Sequence, residues 1–209
     1  MTLPVFLEKV VKEFRRRKLE FAIVGGLVAS IYRHSARATH DLDFLLFTEN
    51  AAQKTAEDIL KVFNMQGHPL RKADLEGGPM FAIKKKNTPV YIVAGRSKRK
   101  GFEAFGLDIL LPEIPWAAEA IGRAQLNQID FGFGPLPCIT IEDFLISKFY
   151  AISNQSTRFM DMDDIKSIFE SHSEIDLSYL GGQMKKLNLS VPKALHGFTP
   201  KILLNLTKN

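Results

Sequence analysis

Phe6, Val10 and Phe14 recur at every fourth position near the start of the chain, which is one apolar face of a helix. Thr2 is placed to cap that helix and Pro4 falls in its first turn. The run Arg15-Arg16-Arg17-Lys18 closes it with positive charge at the negative end of the helix dipole. Phe21 to Val24 is then an unbroken apolar run that stops at Gly25-Gly26, the pattern of a buried strand meeting a tight turn. Residues 27–33 read as helix and Asp41 to Phe47 as a second strand. Thr48-Glu49-Asn50 opens another helix that reaches about Phe63, with Ile59, Val62 and Phe63 as apolar positions. Three further strands are expected around Met80–Ile83, Val90–Val93 and Phe105–Leu110, separated by polar and basic turns.

Pro112 and Pro115 end that stretch, and the pattern changes. Thr140-Ile141-Glu142-Asp143 is close to a capping box, and Phe144, Leu145, Lys148, Phe149 and Ile152 follow at helical spacing. Two more helices are expected over Asp161–Phe169 and Asp176–Leu187, with a short one near Pro200–Leu206. The predicted class is α+β: a core over residues 1–112, then a mainly helical part over residues 113–209 packed on it.

Composition narrows the class. Hydrophobic residues make up 45% of the 209 and charged residues 24%, and 16 phenylalanines supply the bulk for a core. No apolar run approaches the roughly 20 residues that span a bilayer, so no membrane role is expected. The N-terminal charges follow the apolar part, the reverse of a secretory signal. A single cysteine, Cys138, excludes an internal disulfide and a cysteine zinc cage, and the expected location is the cytoplasm. The net charge of +5 concentrates in the first basic run, in Lys84-Lys85-Lys86 and in Lys98-Arg99-Lys100. Such clusters suit phosphate-bearing partners, though each alone also reads as a solvated turn or helix end.

The chemistry-bearing segment runs from Val24 to Phe44. Asp41 and Asp43 are two apart, so on a strand they share a face. Leu42, Phe44, Leu45 and Leu46 around them are typical of a buried strand, where paired carboxylates repel and need a cation. Hard oxygen ligands of this kind suit Mg²⁺ or Mn²⁺. Gly25-Gly26 lies between a strand and a helix, where a backbone can approach a phosphate closely. Asp108, in Leu107-Asp108-Ile109-Leu110, is a further acidic residue on an apolar strand and needs a similar explanation.

Gly25-Gly26 followed by Asp41-Leu42-Asp43 resembles the defining motif of the DNA-polymerase-β-like nucleotidyltransferase superfamily. With Arg37 and Thr39, the pattern looks like the minimal nucleotidyltransferases of prokaryotes, most of all the branch that holds the AbiEii-type toxins. The resemblance covers about residues 20–170. It implies a mixed sheet flanked by helices, with Asp41, Asp43 and Asp108 as metal-holding catalytic residues and a nucleoside triphosphate as substrate. It implies phosphate contacts from Gly25, Gly26, Arg37, Thr39 and Lys148. Lys148 also reads as a partner of Asp161 or Asp164 that docks helices, within a stretch Arg158-x-x-Asp161-x-x-Asp164 that resembles the family's. Two positions depart from the pattern: Gly26 stands where many relatives have serine, and Met160 precedes Asp161 where a basic residue is common.

The implied reaction moves a nucleoside monophosphate to an acceptor hydroxyl and releases pyrophosphate. The acceptor is expected to be tRNA or another RNA, and the toxin branch implies a cognate antitoxin. The alternative is a non-catalytic nucleotide-binding module on the same fold; an endonuclease leaves the Gly-Gly turn unexplained. The five histidines lack metal-ligand spacing, and His40 reads as an exposed turn residue. Trp116 and Cys138 read as packing residues.

Overall fold

The computed structural model describes residues 2–35, 37–48, 51–75, 89–97 and 105–207. Helix α1 (Leu3–Arg16) leads into β1 (Glu20–Val24), α2 (Gly25–Tyr32) and β2 (Asp41–Phe47). Then come α3 (Ala52–Val62), β3 (Met65–Arg71), α4 (Lys72–Leu75), β4 (Val90–Ser97) and β5 (Gly106–Leu110). These strands form one mixed sheet in the order β1-β2-β5-β4-β3. Only the central pair, β2 and β5, is parallel. That pairing sets Asp43 opposite Asp108 and Asp41 opposite Gly106.

Aromatic packing sets which face of β2 is core. Phe14 of α1 meets Phe21 of β1 at 5.1 Å between ring centroids and Phe44 of β2 at 4.9 Å. Phe44 and its even-numbered neighbours Leu42 and Leu46 therefore face α1 and are fully buried. Asp41 and Asp43 lie on the other face and are half-buried, Asp43 against the start of α2 and Asp41 against Gly106 of β5.

The second half continues with α5 (Ala117–Ala124), the short hairpin β6 (Gln128–Asp130) and β7 (Pro135–Pro137), then α6 (Ile141–Asn154), α7 (Phe159–Ser171), α8 (Leu177–Lys186) and α9 (Lys201–Leu206). It is tied to the sheet by backbone: the Ile139 amide donates to Ile23 O at 3.1 Å. Tyr32 Oη donates to Ile139 O at 2.9 Å and accepts from Asn127 Nδ2 at 2.8 Å. Thr140 caps α6, its hydroxyl accepting from the Asp143 amide at 3.3 Å, as the capping pattern predicts.

Several expectations need correcting. Thr2 stands at the N-cap of α1, but its side chain makes no capping bond. Strand β3 was not foreseen, because Gly67 and Pro69 argue against a strand. Among the described residues it stands at the sheet edge and pairs with β4 alone, a position where proline is tolerated. Helix α5 was also missed: its core face is Ala117, Ala120, Ile121 and Ala124, too small to stand out as an apolar stripe. The strand expected over Met80–Ile83 and the clusters Lys84-Lys85-Lys86 and Lys98-Arg99-Lys100 lie outside the described residues.

The basic end of α1 is partly neutralised in place. Glu13 accepts from Arg16 at 2.7 and 2.8 Å and from Arg17 at 2.5 Å, and the Arg16 bond leads in holding its carboxyl down to about 2. A depressed carboxyl stabilises the fold above its unfolded value of 4.5, and that gain disappears as pH falls through about 2. Melting the wild type and Glu13→Gln across this range should show a difference that is full at pH 5 and closes toward pH 2. A difference that does not change with pH would mean the charge on Glu13 is not what stabilises.

Candidate active site

Two carboxylates reach the carboxylate face of β2, and each has one oxygen tied to a backbone amide. Gly26 N–H donates to Asp43 Oδ2 at 3.1 Å, and Gly106 N–H donates to Asp41 Oδ1 at 3.0 Å. Both contacts depend on a missing side chain. A Cβ at position 25 would sit 2.1 Å from Asp43 Oδ2, and one at 106 would sit 2.2 Å from Asp41 Oδ1. Gly25 also has φ +65°, a conformation that glycine adopts without strain. The Gly-Gly turn thus lets the start of α2 close directly onto Asp43.

The departure at Gly26 has a steric partner in Thr39. A Cβ on Gly26 would lie 2.6 Å from Thr39 Oγ1, so the threonine hydroxyl fills the space that a side chain at 26 would take. That hydroxyl donates to Asp41 O at 3.0 Å, which holds it beside the turn.

Asp108 comes to Asp43 from the neighbouring strand. It is not free: Arg96 of β4 binds it through both terminal nitrogens, Nη2 standing 3.3 Å from Oδ2, while Nη1 also donates to Gly95 O at 3.0 Å. Burial pushes the Asp43 carboxyl up to about 6, and the charge of Asp108 adds to the shift; the Gly26 amide and the charge of Lys148 pull it back. Asp108 is also raised, by burial first, with Arg96 opposing.

The basic residues expected at the phosphate end are held by a second acidic cluster. Asp164, fully buried on α7, accepts from Arg33 Nη1 at 2.6 Å and from Arg37 Nη1 at 2.6 Å, and lies 2.8 Å from Lys148 Nζ. Lys148 Nζ donates to Asp161 Oδ1 at 2.6 Å, and Arg158 also binds Asp161. Arg33 reaches Asp163 at 2.8 Å. The Arg158-x-x-Asp161-x-x-Asp164 stretch is therefore a docking device that ties α7 to α6 and to the segment after α2.

Placed against the sequence expectations, Asp41, Asp43, Asp108, Gly25, Gly26 and Thr39 come together. Arg37 and Lys148 sit in a flanking ion network centred on Asp164, and of the two the charge of Lys148 is felt at Asp43. The Gly26 amide, expected at a phosphate, is committed to Asp43 instead. Arg96 was not foreseen as a member, and Arg33, which the sequence offers as a surface partner of Asp43, binds Asp163 and Asp164 instead. Arg96 is next to Gly95, which pairs with Leu107, and this register is invisible without the β4–β5 pairing. His40 is exposed, whereas Trp116 and Cys138 are buried as read.

Three aspartates are a donor set suited to a hard divalent ion, and the upward shifts of Asp43 and Asp108 mark charge that wants a cation. Among the described residues, however, no three acidic, histidine or cysteine side chains stand close enough to grip one ion as placed. The expected three carboxylates are thus neighbours in register, but among the described residues their side chains do not converge on one point, and Asp108 is engaged by Arg96.

No family model matches the chain, and no curated protein matches it. Solved structures do. ANT(2'')-Ia, solved in complex with adenylyl-2''-tobramycin, matches at TM-score 0.56 with 15% identity, over 90% of this chain and 99% of its own. An antigenic nucleotidyltransferase-like protein from Paracoccidioides brasiliensis matches at TM-score 0.50 with 16% identity, over 94% of this chain and 91% of its own. At such identities the likeness concerns architecture: the chain has the mixed-sheet α+β fold of nucleotidyltransferase-like proteins.

Proposed function

We propose that this chain is a nucleotidyltransferase that moves a nucleoside monophosphate from a nucleoside triphosphate to an acceptor hydroxyl and releases pyrophosphate. The observation that carries the reading is the register of β2 on β5: it sets Asp43 against Asp108, with Asp41 two residues away, beside a glycine turn that closes on Asp43. Asp41, Asp43 and Asp108 would hold Mg²⁺ or Mn²⁺. Bound there, divalent ions ease loss of the acceptor's proton and neutralise charge on the triphosphate.

The chain's own contribution is positional. The Gly26 and Gly106 amides fix one oxygen each of Asp43 and Asp41, which leaves the other oxygens available. The N-terminal end of α2 and the flanking Arg37 and Lys148 would supply positive field for the phosphates, while the Thr39 hydroxyl, bonded to Asp41 O, holds the turn that faces them. Catalysis of this kind rests on alignment and charge neutralisation more than on a reactive side chain.

We assign a nucleic acid, tRNA first, as the acceptor. The support is the +5 net charge and the two lysine-rich clusters that flank β4 in sequence, which would repel a cationic small molecule and gain from a phosphate backbone. The motif's resemblance to the AbiEii-type branch supports the same acceptor and a cognate antitoxin. The test offers each labelled nucleoside triphosphate with Mg²⁺, total RNA, an aminoglycoside and a protein extract, to the wild type and to Asp41→Asn. Label in RNA that disappears in the variant is expected. Label in the aminoglycoside, the kind of acceptor that ANT(2'')-Ia carries in its adenylylated complex, would replace the RNA assignment. Nucleotide binding with no transfer to any acceptor would favour the non-catalytic module.

A further inference from the structure

Arg96 occupies the side of the carboxylate cluster from which Asp108 is reached. Its guanidinium binds both oxygens of Asp108 and lies over Gly106. A Cβ on Gly106 would touch Asp41 Oδ1 at 2.2 Å and Arg96 Nη1 at 2.9 Å, so the cation and the Asp41 carboxylate sit over the same glycine. Gly106 has no side chain to keep them apart. The cation therefore stands beside both outer carboxylates, at a cluster whose donor set suits a divalent ion. About half of the Arg96 side chain is exposed (48%), so the guanidinium can leave without disrupting the core. Arginine cannot release its proton near neutral pH, so it leaves only by moving.

We propose that Arg96 is a built-in counter-ion of the three-aspartate cluster, which a divalent ion must displace from Asp108 in order to bind. Arg96 is a positioning residue in this scheme. With no divalent ion it holds Asp108 on β5 and offsets the mutual repulsion of the carboxylates. When the ion binds, the freed guanidinium moves to the rim of the cluster. The arrangement accounts for two facts together: the acidic residues are adjacent in register, yet among the described residues no three of them converge on a common point. The inference rests on the reading that Asp41, Asp43 and Asp108 take a divalent ion.

The test is Mn²⁺ binding without nucleotide, followed by electron paramagnetic resonance or calorimetry, in the wild type, Arg96→Gln, Arg96→Lys and Asp108→Asn. Removing a competing charge a few ångströms from the ion should tighten Mn²⁺ binding by on the order of tenfold in Arg96→Gln. Arg96→Lys, which keeps the charge but loses the two-pronged grip, should fall between that variant and the wild type. Asp108→Asn should bind less tightly than the wild type. Without Mn²⁺, Arg96→Gln should melt below the wild type, and Mn²⁺ should raise its melting temperature by more. Equal or weaker Mn²⁺ binding in Arg96→Gln, with the wild type binding through Asp41 and Asp43, overturns the displacement and leaves the metal reading standing. No Mn²⁺ binding in any of the four folded proteins overturns both.

Discussion

Asp43→Asn is expected to melt higher than the wild type at pH 7.5 in the presence of a chelator, while transferring no nucleotide. The Asp43 carboxyl is pushed up to about 6 by burial and by the neighbouring Asp108 charge, from an ordinary value of 3.8. The sign follows directly. An acid whose folded pKa is raised costs stability in its charged form, so this cost is absent below about pH 4, grows between about pH 4 and 6, and is complete above 6. A shift of this size is worth about 2 kcal/mol at neutral pH once the partial exposure of the side chain is allowed for. In a chain of this length that amounts to roughly 4–8 °C. Asparagine keeps the acceptor for the Gly26 amide, so the bond that closes α2 on β2 survives. Melting curves at pH 5 and pH 7.5, with chelator and with Mn²⁺, check this. The gain should shrink at pH 5, and Mn²⁺ should stabilise the wild type alone. A variant that is less stable at both pH values would show that the charge is already well solvated, and the need for a cation at this place would go with it.

The largest loss of stability is expected at Asp164, which no solvent reaches and on which Arg33, Arg37 and Lys148 converge. Asp164→Asn keeps the shape and removes the charge that these three cations share. Stranding buried charge in this way costs about 3–5 kcal/mol, and roughly 10 °C in melting temperature follows. Asp163→Asn is the internal control: it also binds Arg33, but its side chain is 62% exposed, and its loss should cost less than about 1 kcal/mol. Equal, small effects in denaturant titrations of the two variants would mean the network is hydrated and does not dock α7. If the loss is as large as expected, this cluster is what docks α7 onto α6 and the segment after α2.

These two aspartates differ in how far the sequence alone reveals them. Asp43 announces itself: a carboxylate in Asp-Leu-Asp-Phe-Leu-Leu has period 2 with its neighbour and stands in a run too apolar to be exposed. The same local logic found β1, β2 and the capped start of α6, which rest on residues within a few positions of one another, whereas Gly25 and Gly26, read as a turn before the helix, are the first residues of α2. Lys148 with Asp161 and Asp164 was legible only as a choice between phosphate contact and helix docking, because spacing along two helices does not say how those helices cross. The structure pairs them, with distances of 2.6 and 2.8 Å from Lys148 Nζ.

Edge strand β3 and helix α5 escaped for a different reason. Gly67 and Pro69 are poor strand formers, and an alanine-rich face is a weak stripe; both segments take their conformation from what they pack against, β4 for one and the β1–β2 pair for the other. Local patterning by itself determined that this chain is α+β, that a strand-turn-helix places two glycines before a strand with two same-face aspartates, and that Asp108 sits on a similar strand. Only the tertiary structure decided that β2 and β5 are parallel neighbours with Asp43 facing Asp108, and that Arg96 closes the cluster from β4. The physical reason is that period and propensity are properties of neighbouring residues, whereas strand order, register and charge pairing depend on which distant surfaces bury each other.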